Sequence, residues 1–370
     1  MKRRMGGRLG LVLLLVAGCL DAEPTAPTEA GGFGTPELIP ARAWLEAGGS
    51  LDFRIVPAGP FGLRATGGLS VAGRTVTGLA LGDATVEALL PAGKRSARIT
   101  VVSARPAATP SILTEGLTDQ SLLGVWSADE STIFAVGGDG AVIVSRDAGA
   151  SWKRMNSRVT ATLTSVWGSS ASNVFAVGSG GTMIHYDGKS WELVPLGTEQ
   201  ALLAVWGIDA NHIYAVGAGV AYRYDGTQWR EMPGAAGAEL WAVWGPSPGL
   251  LYASGQNGIL LRWDGVAWRA MVSPTSFVLF ALWGTAADDV YAVGIRGTVL
   301  HFNGASWTPV AVPSTADFFG LDGTARNNIV VVGNGGAVIS FNGTAWTQAP
   351  QQVSLENLRA VRGEQRLVGG

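Results

Sequence analysis

The sequence predicts an all-β fold whose main body is a β-propeller of seven blades, with six as the alternative count, preceded by a small β-sandwich. Three landmarks recurring in phase carry that expectation. A tryptophan closes a short aliphatic run at Val125-Trp126, Val166-Trp167, Val205-Trp206, Val243-Trp244 and Leu282-Trp283, at spacings of 41, 39, 38 and 39. A second series, Trp152, Trp191, Trp229, Trp268, Trp307 and Trp346, keeps spacings of 39, 38, 39, 39 and 39. Between them stand Ala135-Val136-Gly137, Ala176-Val177-Gly178, Ala215-Val216-Gly217, Ala253-Ser254-Gly255, Ala292-Val293-Gly294 and Val331-Val332-Gly333. A unit of about 39 residues reads as four short strands, exemplified by LLAVWG, HIYAVG, VAYRYDG and TQWREMP. Such a unit cannot bury both faces of its sheet alone, so neighbouring sheets must stack around an axis.

Bulk composition agrees. Hydrophobic residues make up 47% of the chain and charged residues 15%, enough apolar material for two packed cores. The net charge of −2 supplies no long-range field for nucleic acid, which is excluded as a partner.

Residues 1–19 read as an address. Lys2, Arg3, Arg4 and Arg8 precede the apolar run Leu9 to Ala17, too short for a membrane-spanning helix but suited to a secretory signal. Val16-Ala17-Gly18-Cys19 resembles the bacterial lipobox, which implies cleavage before Cys19, lipidation of its thiol and a membrane partner through that anchor. No Asp directly follows Cys19, so the resemblance implies outer-membrane sorting in a two-membrane cell. Cys19 is the only cysteine, and no disulfide can staple the chain. Residues 20–37, rich in Pro, Gly and Ala, form a linker.

Residues 38–104 change to period-two alternation between Gly, Pro and Asp turns, around 50–55, 74–79, 84–88 and 97–101. AGGSLDF, TVTGLALGDATVEA and SARITVVS resemble the group 2 bacterial Ig-like domains, which implies a spacer or adhesive stalk.

The propeller occupies 105–370. Six complete units run from Leu122 to Ala349; Leu358 to Gly363 and Arg366 to Gly369 are expected to begin a seventh that Ser111 to Glu115 completes from upstream. Closing one blade with both ends of the chain removes free sheet edges. The turn between third and fourth strands is SRDAGASW in the first unit and then HYDGKSW, RYDGTQW, RWDGVAW, HFNGASW and SFNGTAW. Asp or Asn before Gly supplies an acceptor for nearby N–H groups and a residue tolerant of positive φ. Asp147, Asp187, Asp225, Asp264, Asn303 and Asn342 are therefore read as structural, because Asn keeps the turn but could not act as an acid. The turn matches the Asp box, and the repeat region resembles the Asp-box (BNR) propellers and the photosystem II assembly factor-like propellers. That resemblance implies a fold more than an activity.

No catalytic constellation stands out. A glycosidase of the sialidase kind, which shares the Asp box, needs paired carboxylates or a tyrosine with a base, and the acids here fall mostly in repeat turns. Phe53-Arg54-Ile55-Val56-Pro57 interrupts a sialidase-like arginine motif with an extra valine, outside the repeats. His185, His212 and His301 are too scattered for zinc, and no cofactor is expected. A binding function is expected instead, for a protein or glycan partner, with assembly of envelope complexes as the first alternative and a sialidase-like glycoside hydrolase as the second. The loops between second and third strands and between blades emerge on one side, where Asp139, Glu199, Gln200, Gln256, Asn257, Arg296, Asp317, Phe318 and Asn334 vary among copies and form the candidate binding face.

Overall fold

In the computed structural model, residues 118–361 are described in full apart from 119, 130 and 350–356; elsewhere only the backbones of strand segments are described. Residues 110–370 form one compact unit together with 1–15, and residues 16–109 form another.

The larger unit is a β-propeller. Six four-stranded antiparallel sheets each run in simple chain order from first strand to fourth. The first strands are Leu122–Ser127, Leu163–Ser170, Leu202–Asp209, Leu240–Ser247, Leu279–Ala286 and Phe318–Ala325. First strands of consecutive sheets lie side by side from the first sheet to the sixth. The second strands are buried along most of their length, and in His212–Gly217 alternate residues join the cores on either side of the sheet. The fourth strands are outermost and only two or three residues long, among them Lys153–Arg154 and Trp229–Glu231. Short, charged edges of that kind offer little to a pairing strand.

Both tryptophan series serve the joints between blades. A ring carbon of Trp167 would lie 2.6 Å from a Cβ added to Gly207 in the next blade, and Trp126 relates to Gly168 in the same way at 2.8 Å. Trp244 and Trp283 stand in the same way against Gly284 and Gly323, so at these joints the Trp-Gly pair is a two-blade device in which one blade supplies the ring that the next blade's glycine makes room for. Trp191, 1% exposed, meets Phe134 of the preceding blade edge-on at 6.3 Å and Tyr186 of its own at 5.3 Å.

The blade count is six, the alternative reading. The expected seventh four-stranded blade does not form: residues 357–361 are not strand, and Gln365–Gly369 joins Ala108–Ile112 and Val12–Val16 in a three-stranded sheet. Residues 357–361 instead pack on the sixth blade without becoming a strand, with Ala360 Cα 3.1 Å from a Cβ added to Gly320, as Ser165 Cα is 3.0 Å from one on Gly124. Leu358 N–H donates to Gly333 O at 3.0 Å, Gly335 N–H donates to Asn357 Oδ1 at 3.1 Å, and Leu358 and Val361 are buried against Val330 and Val332.

In the smaller unit, Gly93–Val102 pairs antiparallel with Gly82–Leu90 and parallel with Arg42–Glu46, and Gly62–Thr66 completes that sheet. Ser50–Asp52, Thr75–Gly78 and Leu69–Ala72 make a three-stranded sheet, and Glu37–Ile39 pairs with Arg54–Val56. Cys19 and the linker lie outside the described residues.

Candidate functional site

The face bearing the second-to-third-strand loops is built by a repeated latch. Gly140 N–H donates to Ala161 O of the next inter-blade segment at 3.0 Å, and Gly219 to Ala238 O and Gly297 to Ala316 O do the same at 2.7 Å. A Cβ on Gly140 would stand 2.0 Å from Val159 O, so the second glycine of the Val-Gly-x-x-Gly motif is where one blade's loop lies directly on the next blade's backbone.

The residue before that glycine has a left-handed backbone: Asp139, Gly180, Asn257, Arg296 and Gly335, with φ of 49, 62, 55, 59 and 60°. Asp, Asn and Gly tolerate this region, whereas a long side chain there is uncommon. Arg296 is the exception. Asp317 Oδ1 accepts its backbone N–H at 2.8 Å, Asn334 N–H donates to Asp317 O at 2.8 Å, and the Arg296 guanidinium lies 4.9 Å from the centre of the Phe277 ring. Arg296, Asp317 and Asn334 thus form one cluster across blades five and six. Gln256 and Asn257 sit exposed on blade four, where Gln256 N–H donates to Glu239 O at 2.9 Å. Gln200 borders a shallow cavity of about 430 Å³ lined also by Ala218, Gly219, Ala236, Gly237, Ala238 and Glu239, and Glu199 is exposed beside it. Phe318 does not belong to the face. It is 0% exposed, because Phe replaces at this place the core leucine with which the other first strands begin.

The residue that follows this core position is the one sequence reasoning missed. In all six blades the first strand shifts register between its first and third residues, opposite the end of the second strand. Such a bulge leaves one residue outside the ladder and re-aims its side chain. The bulged residues are Leu123, Thr164, Leu203, Trp241, Phe280 and Phe319, each partly exposed at the rim of the inner strands. Three of them touch in series: Trp241 meets Phe280 at 5.2 Å and Phe280 meets Phe319 at 5.4 Å, both edge-to-face, and the Arg359 guanidinium lies 4.3 Å from the Phe319 ring centre. The signal was one variable column between an apolar core position and a small residue in an otherwise regular motif.

The opposite face carries the tight turns. Asp147 accepts bonds from Ser151 N–H and Ser145 Oγ, both at 2.8 Å, and Asp187 from Lys189 and Ser190 N–H at 2.8 and 2.9 Å. Asn303 and Asn342 accept the same pair of backbone bonds at 2.9–3.0 Å. Bonds from Thr227 Oγ1 and the Gln228 and Thr227 N–H groups hold the Asp225 carboxyl down at about 2, and N–H donors of Ala267 and Val266 do the same for Asp264, also at about 2.

One polar cluster is buried nearby. Asp289, 3% exposed, accepts bonds from His301 Nε2 at 2.8 Å, from Arg326 Nε of the next blade at 3.1 Å, and from Thr285 Oγ1. Burial works against its ionisation, but the His301 and Thr285 bonds and the Arg326 charge outweigh it and keep the carboxyl below its ordinary value. His301 stacks on Tyr291 at 4.4 Å, His185 stacks on Phe175 at 4.3 Å and bonds Asn173, and His212 bonds Asp209. Among the described residues, no three His, Cys, Asp or Glu gather closely enough to hold a metal ion.

Fold and face together define a propeller with latched loops and a varied rim around its axis. Residues 111–187 match the family described as photosynthesis system II assembly factor YCF48. Solved structures extend the likeness to about two thirds of the chain. YCF48 bound to D1 peptide is 18% identical with a TM-score of 0.57, and covers 68% of this chain and 90% of its own. YCF48 from Cyanidioschyzon merolae is 16% identical with a TM-score of 0.56, covering 68% and 93%. The WD40 propeller domain of Doa1 is 14% identical with a TM-score of 0.58, covering 69% and 91%. At such identities the likeness speaks to fold. No curated protein matches the chain by sequence.

Proposed function

We propose that this chain is a non-enzymatic, lipid-anchored envelope protein whose propeller binds a protein partner through the rim of its inner strands, in the service of assembling envelope complexes. The observation that carries the reading is the contiguous line of partly exposed Trp241, Phe280 and Phe319, each carried on a bulge. Exposed aromatic clusters on an otherwise well-sealed domain mark binding sites, and Trp is enriched among residues that dominate interface energetics. The partial match to an assembly-factor family, and the D1 peptide bound to one structural relative, favour a protein over a glycan. The lipobox at Cys19 supports the anchor, and the Ig-like pattern of 38–104 supports a spacer between anchor and propeller.

The test is co-purification from solubilised membranes of the native host, with wild-type full-length protein beside Phe280→Ser. A partner retained by the wild type and lost by the variant supports the reading; no partner under any solubilisation condition contradicts it. Metabolic labelling with palmitate tests the anchor: label in the wild type and none in Cys19→Ser is the expected result.

A further inference from the structure

We infer that the rim is an anchor pocket for one chemistry: an apolar side chain of the partner, inserted against Trp241, Phe280 and Phe319, with a carboxylate a few residues away received by Arg359 and Arg296. The inference rests on the protein-binding reading above and specifies what that partner must present.

Four observations lead to it. The bulged column is the place where this scaffold changes side chains without disturbing its core, since the residue before is apolar and buried and the residue after is Gly, Ser or Ala in every blade. Its contents are lopsided: Leu123, Thr164 and Leu203 on one half of the rim, three aromatics on the other. The aromatic rings meet edge-to-face, which turns each across its neighbour so that ring edges and faces alternate along the line. Such a line offers an apolar side chain contact with both, whereas a sugar ring stacks better on an open, flat face.

Charge supplies the second half of the motif. Arg359 and Arg296 are both exposed, each lies over a phenylalanine ring, and neither has a carboxylate within ion-pair distance among the described residues. A guanidinium resting on an aromatic face is held in place while its N–H donors stay free for a planar acceptor. Arg296 also occupies a left-handed backbone position that the equivalent loops fill with Asp, Asn or Gly, and strained residues of that kind concentrate at ligand clamps. The exposed acids Asp139, Glu199 and Glu239 stand on blades one, three and four, and half-buried Asp317 beside Arg296 is engaged by that residue's backbone N–H. The face is therefore polarised, and the partner's carboxylate belongs on the side of blades five and six.

The experiment uses full-length protein in detergent and fluorescein-labelled, end-blocked peptides of Gly-Ser background carrying Leu-Asp-Glu, Leu-Lys-Lys or Ser-Asp-Glu, read by fluorescence anisotropy. The Leu-Asp-Glu peptide is expected to bind about tenfold tighter than either control, a difference that shrinks at high salt for the lysine comparison. Phe280→Ser is expected to remove the preference for Leu over Ser. Arg359→Glu, a surface change that leaves thermal unfolding where it was, is expected to reverse the preference between acid and lysine. Equal binding of the acidic and basic peptides overturns the inference. Binding of the Leu-Asp-Glu peptide that neither variant alters also overturns it, while sparing the protein-binding reading. Failure of all three peptides together with binding of labelled oligosaccharides overturns both.

Discussion

Replacing Trp191 with alanine and, separately, with phenylalanine measures what joins one blade to the next. Trp191 is 1% exposed and bridges Phe134 of the first blade and Tyr186 of the second. A tryptophan buries roughly 150–250 Å², which at about 25 cal/mol per Å² is about 4–6 kcal/mol as an upper bound. The alanine variant, with a cavity left between two blades, should lose about 3–5 kcal/mol. The phenylalanine variant behaves differently because the Trp191 Nε1 donor is buried without an acceptor among the described residues. Removing that donor recovers about 1–3 kcal/mol of desolvation, while the missing ring costs about 1–1.5 kcal/mol in apolar area. The net change should lie between a loss of about 0.5 and a gain of about 2 kcal/mol relative to wild type. Urea denaturation followed by intrinsic fluorescence reads the propeller, since every tryptophan except Trp44 lies in it. Phenylalanine costing as much as alanine would refute the reasoning, and so would an alanine variant as stable as wild type.

Three further outcomes follow from the geometry. Gly207→Ala, which puts a Cβ 2.6 Å from a Trp167 ring carbon, should cost about 1–3 kcal/mol in the same titration; Gly249→Ala, with nothing within 4 Å, should be silent. Asp289→Ala leaves His301, Thr285 and Arg326 without their shared acceptor and should cost roughly 1.5–3 kcal/mol, whereas Arg326→Ala removes only a 65% exposed partner and should cost less than about 1 kcal/mol by the same titration. Asp225 and Asp264 hold carboxyl values of about 2 in the fold against an ordinary 3.8, so their stabilisation is complete above the ordinary value and is lost as pH falls through about 2. Urea midpoints of wild type and the Asp225→Asn, Asp264→Asn double variant should therefore converge as pH drops across that window, since Asn keeps the turn bonds, as Asn303 and Asn342 do, without titrating.

The blades themselves were legible because their constraints repeat. Trp-Gly pairs, the glycine-rich loop after the second strand and the Asp/Asn-Gly turn each answer to a contact that recurs from blade to blade, so similar residues return at similar spacing. The rim escaped notice for the complementary reason. A bulge tolerates Leu, Thr, Trp or Phe alike, so its column carries no repeated residue, and Trp241, Phe280 and Phe319 read as scatter inside a strand. Phe318 and Phe319 show how narrow the distinction is. Two identical neighbours divide between core and rim, and the shift that separates them is a matter of ladder register, visible only once Phe318 is seen opposite Gly333 and Gly320 opposite Val332. The preference for seven blades over six failed on another ground: Leu358 to Val361 carry the right apolar pattern for a first strand and pack on the sixth blade, but residues 357–361 form no strand.

The central claim, that the aromatic rim is where a partner sits, is tested most directly by photo-crosslinking in living cells with benzoylphenylalanine placed at 280 or, as a control, at 193. Leu193 is 62% exposed but lies on an outer fourth strand, remote from the rim. A discrete protein adduct from position 280, absent from position 193, is the predicted result. Adducts from 193 with none from 280 would contradict the account.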